Sequence, residues 1–367
     1  MIGLGRLERY VMTRTLAAVA ASLAVISAVI LLVQFVDLSR SVGVRADVTV
    51  SQLFGLTLLR TPAVILVLLP FVFLFGGMAA FVNLNRKSEL VAMRAAGVSA
   101  WRFVLPTAGA AFALGVAAVA LFNPVAAALS ARFESDRARL MENYLTDTPK
   151  EVWLRQGDDR NQMVIHARSR VMENGVVKLK GVSLFIYQRN KQGAIEFKRR
   201  LEAASAELQP GFWKLSDVRE ATAGESSVRS ESLSIRSSLD SEAALEHFAS
   251  PEAIAFWRLP AAIRLTEQAG FSASGYRLRL HQLLATPLLF ASMSVLAAAF
   301  SLRLARLGGL AGLAGVGVAL GFVFFFFNAF AGALADADLL PLAAAAWAPP
   351  LVALLSGLAL LCYTEDG

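Results

Sequence analysis

The sequence predicts an α-helical membrane protein with six transmembrane helices and an inserted all-β domain resembling a jelly roll. Three observations carry this. Six stretches, 15–36, 61–82, 103–131, 280–302, 307–335 and 339–364, contain no Asp, Glu, Lys or Arg. They fall three and three around a polar segment between residues 131 and 280. The chain is also 56% hydrophobic, well above the apolar share of a soluble domain.

Each uncharged stretch reaches the ~20 residues a helix needs to cross a hydrocarbon core. Without water to satisfy an open backbone the runs must be helical, because a barrel would need short alternating segments. The first run is too long for a signal-peptide core and ends in Gln34, Phe35, Val36 and Asp37 without a small-residue cleavage site, so it is expected to remain as an anchor.

Short loops set the orientation, since Lys and Arg collect on the cytoplasmic side. Arg6, Arg9 and Arg14, then Arg86, Lys87, Arg94 and Arg102, then Arg303 and Arg306 share one side. Asp37, Arg40, Arg45 and Asp47, with Asp336 and Asp338, fall on the other. Both termini are therefore expected in the cytoplasm and the insert beyond the membrane, in the periplasm of a bacterium. The expected organisation is an N-terminal membrane half at 1–122 with a cytoplasmic loop at 83–100, a β domain at 123–275 and a C-terminal membrane half at 276–367. Topology accounts for much of the net charge of +7 and leaves little reason to expect nucleic-acid binding.

The loop after the second stretch is the sharpest local signal. Ser88 can cap a short helix, Glu89 suits the positive end of its dipole and Gly97 can close it. Leu90 and Met93 share a face that Ala96 continues, so the helix can offer an apolar face and a carboxylate to a groove on a soluble partner. A solvated, positive-inside loop with an ordinary cap is the equal alternative.

Within the insert, segments 151–155, 162–168, 176–188, 195–207 and 212–219 mix Val, Ile, Phe, Trp and Tyr with polar residues, and Gly/Asn/Asp/Pro turns separate them. Apolar alternation runs on either side of Gly181, and a sandwich or jelly roll of short antiparallel strands is the expected form. The Ser-rich stretch 226–241 reads as a late strand or a mobile edge. His166 lies in a strand pattern without a second His or Cys nearby, so no metal site is expected. The single Cys362 allows no internal disulfide and reads as an apolar filler of the last span. In the fifth stretch Gly308-x-x-x-Gly312 and Gly317-x-x-x-Gly321 permit close helix approach. No ionisable Asp, Glu, Lys or Arg lies within the six stretches, which weighs against a gradient-driven transporter.

The run Ser88-Glu89-Leu90-Val91-Ala92-Met93-Arg94-Ala95-Ala96-Gly97-Val98-Ser99 resembles the cytoplasmic coupling segment of the LptF/LptG permeases of the lipopolysaccharide-export ABC transporter. Leu7-Glu8-Arg9-Tyr10, Tyr276-Arg277-Leu278-Arg279-Leu280-His281 with Pro287-Leu288, and Ala346-Trp347-Ala348-Pro349 also match, so the resemblance runs end to end. Phe256-Trp257-Arg258-Leu259-Pro260 and the Glu365-Asp366-Gly367 ending lean toward the LptG branch. The resemblance implies a heterodimer with a sister permease of the LptF branch, an LptB ATPase dimer, LptC and the LptA bridge as partners, and a periplasmic jelly roll that receives lipopolysaccharide. ATP and Mg would be bound by the ATPase. This chain has no Gly-x-x-x-x-Gly-Lys-Ser/Thr and is expected to be non-catalytic, with no cofactor of its own.

By the same resemblance Glu89 meets the ATPase, with Arg86, Lys87, Leu90, Met93 and Arg94 beside it. Arg40, Arg45 and Arg60, Arg132 and Arg137, and Arg277 and Arg279 gather at the outer boundary, where the charge bias predicts fewer cations. Their planar forks suit the phosphates of a glycolipid, while snorkelling or pairing with Asp37, Asp47, Glu134 and Asp136 is the competing reading for any one of them. The resemblance assigns lipopolysaccharide contact to Arg40 and to Gln34, where relatives often carry a basic residue, and cavity walls to Phe35 and the first and fifth spans, including Phe326, Asn328 and Phe330. A membrane-anchored periplasmic binding or assembly protein without transport activity is the alternative function.

Overall fold

The structure is a computed structural model that describes residues 5–43, 48–141, 152–157, 161–173, 176–189, 195–209, 211–222, 227–237, 251–268, 272–304, 310–337 and 339–365. Of the sequence expectations, Arg45, Asp47, Arg306, Gly308, Asp338 and most of the turn residues of the insert lie outside them. The chain divides into two compact units, one of residues 1–140, 251–257 and 274–367 and one of residues 141–250 and 258–273.

The first unit holds six helices long and apolar enough to cross a membrane, one for each uncharged stretch. Helix α1 (Arg6–Leu38) ends in a π-helical turn, Ser39–Gly43. Helix α2 (Val50–Arg86) is followed by the short α3 (Glu89–Ala95), and α4 (Trp101–Ala117) runs through a π-helical turn, Ala118–Phe122, into α5 (Asn123–Met141). After the insert come α6 (Leu259–Gln268, in the second unit), α7 (Ser274–Leu304), α8 (Leu310–Asp336) and α9 (Leu342–Glu365). The long helices outrun the uncharged stretches because charged residues can stay helical at the interface once past the hydrocarbon. Proline inside α2, α4, α7 and α9 is tolerated as it is in other membrane helices, where packing partners satisfy the freed carbonyls.

Helix α7 is the hub, packed by α2, α4 and α9. Small residues make that possible: a Cβ added to Gly115 of α4 would stand 2.5 Å from the Cα of Pro287 in α7, so backbone meets backbone. Phe73 of α2 and Phe290 of α7 fill the adjoining space with ring centroids 4.7 Å apart. Helix α1 crosses α2 as closely, with the would-be Cβ of Gly76 only 2.6 Å from the Cα of Val19. Of the best apolar window of each span, 72% is buried in α7 but 11% in α1 and 17% in α8. Cys362, expected as a small apolar filler of the last span, is exposed on α9.

The π-helical turn in the third span has a partner. Such a bulge frees backbone carbonyls, and here the carbonyl of Ala120 accepts the indole N–H of Trp257 at 3.2 Å. The backbone N–H of Phe256 donates to Asn123 Oδ1 at 2.8 Å. The Phe-Trp pair thus fastens the returning chain to the third span before the fourth begins.

The second unit is built on six antiparallel strands: β1 (Val152–Gly157), β2 (Asn161–Glu173), β3 (Val176–Arg189), β4 (Ile195–Gln209), β5 (Phe212–Thr222) and β6 (Val228–Arg236). They form one sheet in chain order, since close-linked strands pair with their neighbours. The antiparallel β insert expected from the sequence is present, with strands longer than the short ones expected. The Ser-rich stretch supplies β6, paired along β5. One face is sealed by Ile165, Leu179, Leu184, Leu201, Trp213 and Leu215, all fully buried.

The burial pattern steps by three instead of two across Gly181 in β3, from Leu179 to Val182, and across Asp217 in β5, from Leu215 to Val218. Both hinge residues are left-handed, with φ of 60° and 52°. Glycine takes that conformation without a Cβ penalty. Asp217 is the rarer non-glycine case, and its carboxylate is held by Arg229 Nε at 2.9 Å. His166 lies half-buried on β2, opposite Trp153 and Ser183.

Candidate functional site

The loop singled out in the sequence is built into the bundle at the end where α1 begins and α9 ends. Helix α3 starts without the expected cap: Ser88 is left-handed, with φ 58°, and its side chain makes no capping hydrogen bond. Capping needs an extended backbone, and the tight exit from α2 does not leave one. The other end closes as expected. Gly97, with φ 79°, donates its N–H to the Arg94 carbonyl at 2.9 Å, and Val98 donates to the Met93 carbonyl at 3.0 Å, the paired bonds of a Schellman stop.

The apolar face of α3 turns inward. Leu90 is fully buried in a cluster with Val11, Phe81, Leu84, Phe103 and Leu361, and Met93 packs against it, while Ala96 is exposed. The expected apolar docking face is therefore occupied by the chain's own core. What α3 presents outward is Val91, Ala92 and Ala95, with Arg86 and Lys87 exposed just before it.

Polar contacts complete the attachment. Tyr10 Oη donates to Glu89 Oε2 at 2.9 Å, leaving the carboxylate half-buried. Arg94 Nη2 donates to the carbonyl of Thr364 at 3.1 Å, tying α3 to the end of the last helix. Arg102 at the start of the third span pairs with Glu8 at 3.2 Å, and the other oxygen of Glu8 accepts the N–H of Gly5 at 2.9 Å. Hydrogen bonds to charged groups are stronger than neutral ones. The first two join α3 to α1 and α9, and the Glu8 pair joins the third span to α1. Sequence reasoning did not find the Tyr10 partnership, because residues 79 positions apart carry no periodic signal.

At the opposite end of the helical unit the predicted lipid residues are spread over several helices. Gln34 is half-buried on α1 with Oε1 buried and lacking a hydrogen-bond partner, an arrangement that costs free energy unless something donates to it. Phe35 beside it is half-buried, and Arg40 is exposed in the π-helical turn. Arg60 pairs with Asp37 at 3.6 Å and lies over the ring of Phe133, 5.6 Å from its centre, so it already serves the structure. That contact brings α5, with exposed Arg132 and half-buried Arg137, to the first hairpin. On α7, Arg277 is exposed, whereas Arg279 has a buried Nε without a hydrogen-bond partner.

The aromatic run of α8 faces outward. Phe326 and Phe330 are each 63% exposed, Phe322 stacks on Phe326 with centroids 6.2 Å apart, and Asn328 is exposed among them. The opposite face carries the predicted close approach: added Cβ atoms at Gly317 and Gly321 would lie 2.9 Å from Met78 Sδ and 3.2 Å from Phe75 Cζ of α2. Phe71 of α2 meets Phe324 edge-on at 6.2 Å. One side of α8 thus seats on α2 and the other offers a broad apolar surface. Among the described residues no group of three His, Cys, Asp or Glu could hold a metal ion.

The profile of the family described as lipopolysaccharide export system permease LptF/LptG matches residues 9–363. Among similar proteins is the lipopolysaccharide export system permease protein LptG of Escherichia coli strain K12, 23% identical over 336 residues that cover 90% of each chain. The LptG protein of E. coli O6:H1, strain CFT073, shows the same identity and coverage.

Proposed function

The chain belongs to the LptF/LptG family of lipopolysaccharide export system permeases, and on that premise we propose that it is the transmembrane subunit of an ATP-driven exporter. It takes lipopolysaccharide from the outer leaflet of the inner membrane and passes it through its β domain toward the outer membrane. Both termini lie in the cytoplasm and the β domain in the periplasm. A sister permease of the LptF branch completes the pathway, an LptB dimer binds and hydrolyses ATP with Mg, and LptC and LptA receive the lipid.

The observation that carries this reading is the bareness of α1 and α8, 11% and 17% buried against 72% for α7. Helices so apolar and so little covered by their own chain are suited to a lateral opening, where they exchange lipid for a sister subunit. Gln34, half-buried on α1, offers the lipid an amide hydrogen bond, and Phe35, Phe326 and Phe330 hold acyl chains. Arg40, Arg45, Arg132, Arg137 and Arg277 receive its phosphates, for which the guanidinium fork is suited.

Coupling runs through α3. Glu89 meets a basic or polar group of the ATPase, Arg86 and Lys87 flank it, and Leu90, Met93 and Arg94 transmit the movement because they root α3 in the bundle. Glu89→Lys should abolish co-purification of the ATPase and ATP-dependent lipopolysaccharide release from membrane vesicles, while the melting temperature of the permease stays within a few degrees. Unchanged release from that variant would remove α3 from the mechanism.

A further inference from the structure

A cleft of about 260 Å³ lies between α1 and α2 at the end where α1 begins and α9 ends, lined by Tyr10, Arg14, Asn83, Lys87, Glu89 and a floor of alanines. We propose that it binds the phosphate headgroup of an anionic phospholipid from the adjoining leaflet, with the start of an acyl chain laid along its alanines. The cleft shares Lys87 and Glu89 with the proposed ATPase contact, but the lipid site does not depend on that contact or on which side of the membrane the cleft faces.

The charge balance favours an anion. Arg14 and Lys87 give two cations against the one carboxylate of Glu89, which has an oxygen engaged by the Tyr10 hydroxyl. Neither cation forms an ion pair with a carboxylate among the described residues. Arg14 is held in place by Tyr10, its guanidinium carbon 5.4 Å from the ring centre, so its fork is pre-oriented. Asn83, exposed on the same wall, adds an amide donor.

The floor argues for a lipid over a soluble anion. Ala17, Ala18, Ala79 and Ala80 provide no polar group for the rest of a nucleotide or ion, and Ala17 and Ala79 are exposed. One helical turn deeper, Gly76 and Val19 bring the two backbones together, so the groove narrows away from the cations. The result is a charged mouth above a shallow apolar groove between two spans, which matches a headgroup and its first methylenes.

The test uses the full-length protein, purified and delipidated in detergent, and native mass spectrometry with phosphatidylglycerol, phosphatidylcholine and inorganic phosphate in parallel. Phosphatidylglycerol should be retained in preference to phosphatidylcholine. Arg14→Gln or Lys87→Gln should each weaken retention about fivefold, given the worth of a cation near an anionic surface, and the pair should weaken it further. Arg9→Gln, at the same end but outside the cleft, should have no effect. Ala79→Leu keeps both cations and fills the groove, and it should also lose the lipid. Equal retention of the two lipids, or no response to the paired variant, would overturn the site. Lipid retention unaffected by Ala79→Leu, or displaced by phosphate at matching concentration, would overturn the lipid assignment and leave a soluble-anion site. Unfolding curves of each variant separate lost binding from lost fold.

Discussion

Helices α7 and α8 have nearly equal hydropathy, yet 72% of the apolar window of α7 is buried and 17% of that of α8. In a bilayer the hydrophobic effect does not choose between them, because lipid is as apolar as a neighbouring helix. Shape does. Helix α7 turns small residues to its neighbours, with Ala297, Ala298, Ala299, Ser292 and Ser301 buried, so other backbones come close. Helix α8 sets most of its bulk outward in Phe322, Phe325, Phe326 and Phe330 and turns Gly317, Gly321 and Phe324 to α2. One helix holds the bundle together and the other is left available for something outside this chain.

The sharpest way to break that contrast is to truncate one phenylalanine on each helix. Phe290→Ala removes a ring packed against Phe73 and should lower stability by about 3 kcal/mol, since the cavity loss persists even without a water-transfer gain. Phe326→Ala should leave the unfolding curve unchanged and reduce lipopolysaccharide release instead. Equal destabilisation would mean that α8 is packed within its own subunit.

A second pair sharpens the contrast through backbone approach. Gly115→Val drives a side chain into Pro287 and should cost about 2 kcal/mol by overpacking, whereas Gly332→Val on α8 meets open space and should be close to neutral. Thermal unfolding in detergent reads both. The smallest effect belongs to the coupling end, where Tyr10→Phe removes only the hydroxyl that reaches Glu89. It should lower stability by about 1 kcal/mol and weaken coupling of ATP hydrolysis to release, with ATPase association retained.

Much of this architecture is legible in the sequence. The uncharged stretches mark the six spans because each charged side chain inside hydrocarbon is costly, and the strands follow from alternation and turn residues that need only local information. Gly181 was visible as the point where alternation breaks, and Asp217 was not, since nothing marks an aspartate as left-handed until its Arg229 partner is known. Ser88 shows the limit of motif reasoning: the residue type suits a cap, but the chain leaves α2 too tightly for one. Leu90 and Met93 were recognised as one face, yet whether that face looks to a partner or to Val11, Phe81 and Leu361 is decided by residues distant in sequence. The same holds for Arg60, one of several boundary arginines until Asp37 and Phe133 claim it.

The central claim is that the outward face of α8 lines the lipid path. A photo-reactive residue placed at Phe326 in the assembled exporter, in native membranes, tests it against the same probe at Leu355, an equally exposed site on α9. The account predicts lipopolysaccharide captured at Phe326 and little at Leu355, with the Phe326 adduct diminishing as ATP turnover empties the cavity. Equal capture at both positions, or phospholipid alone at Phe326, would contradict it.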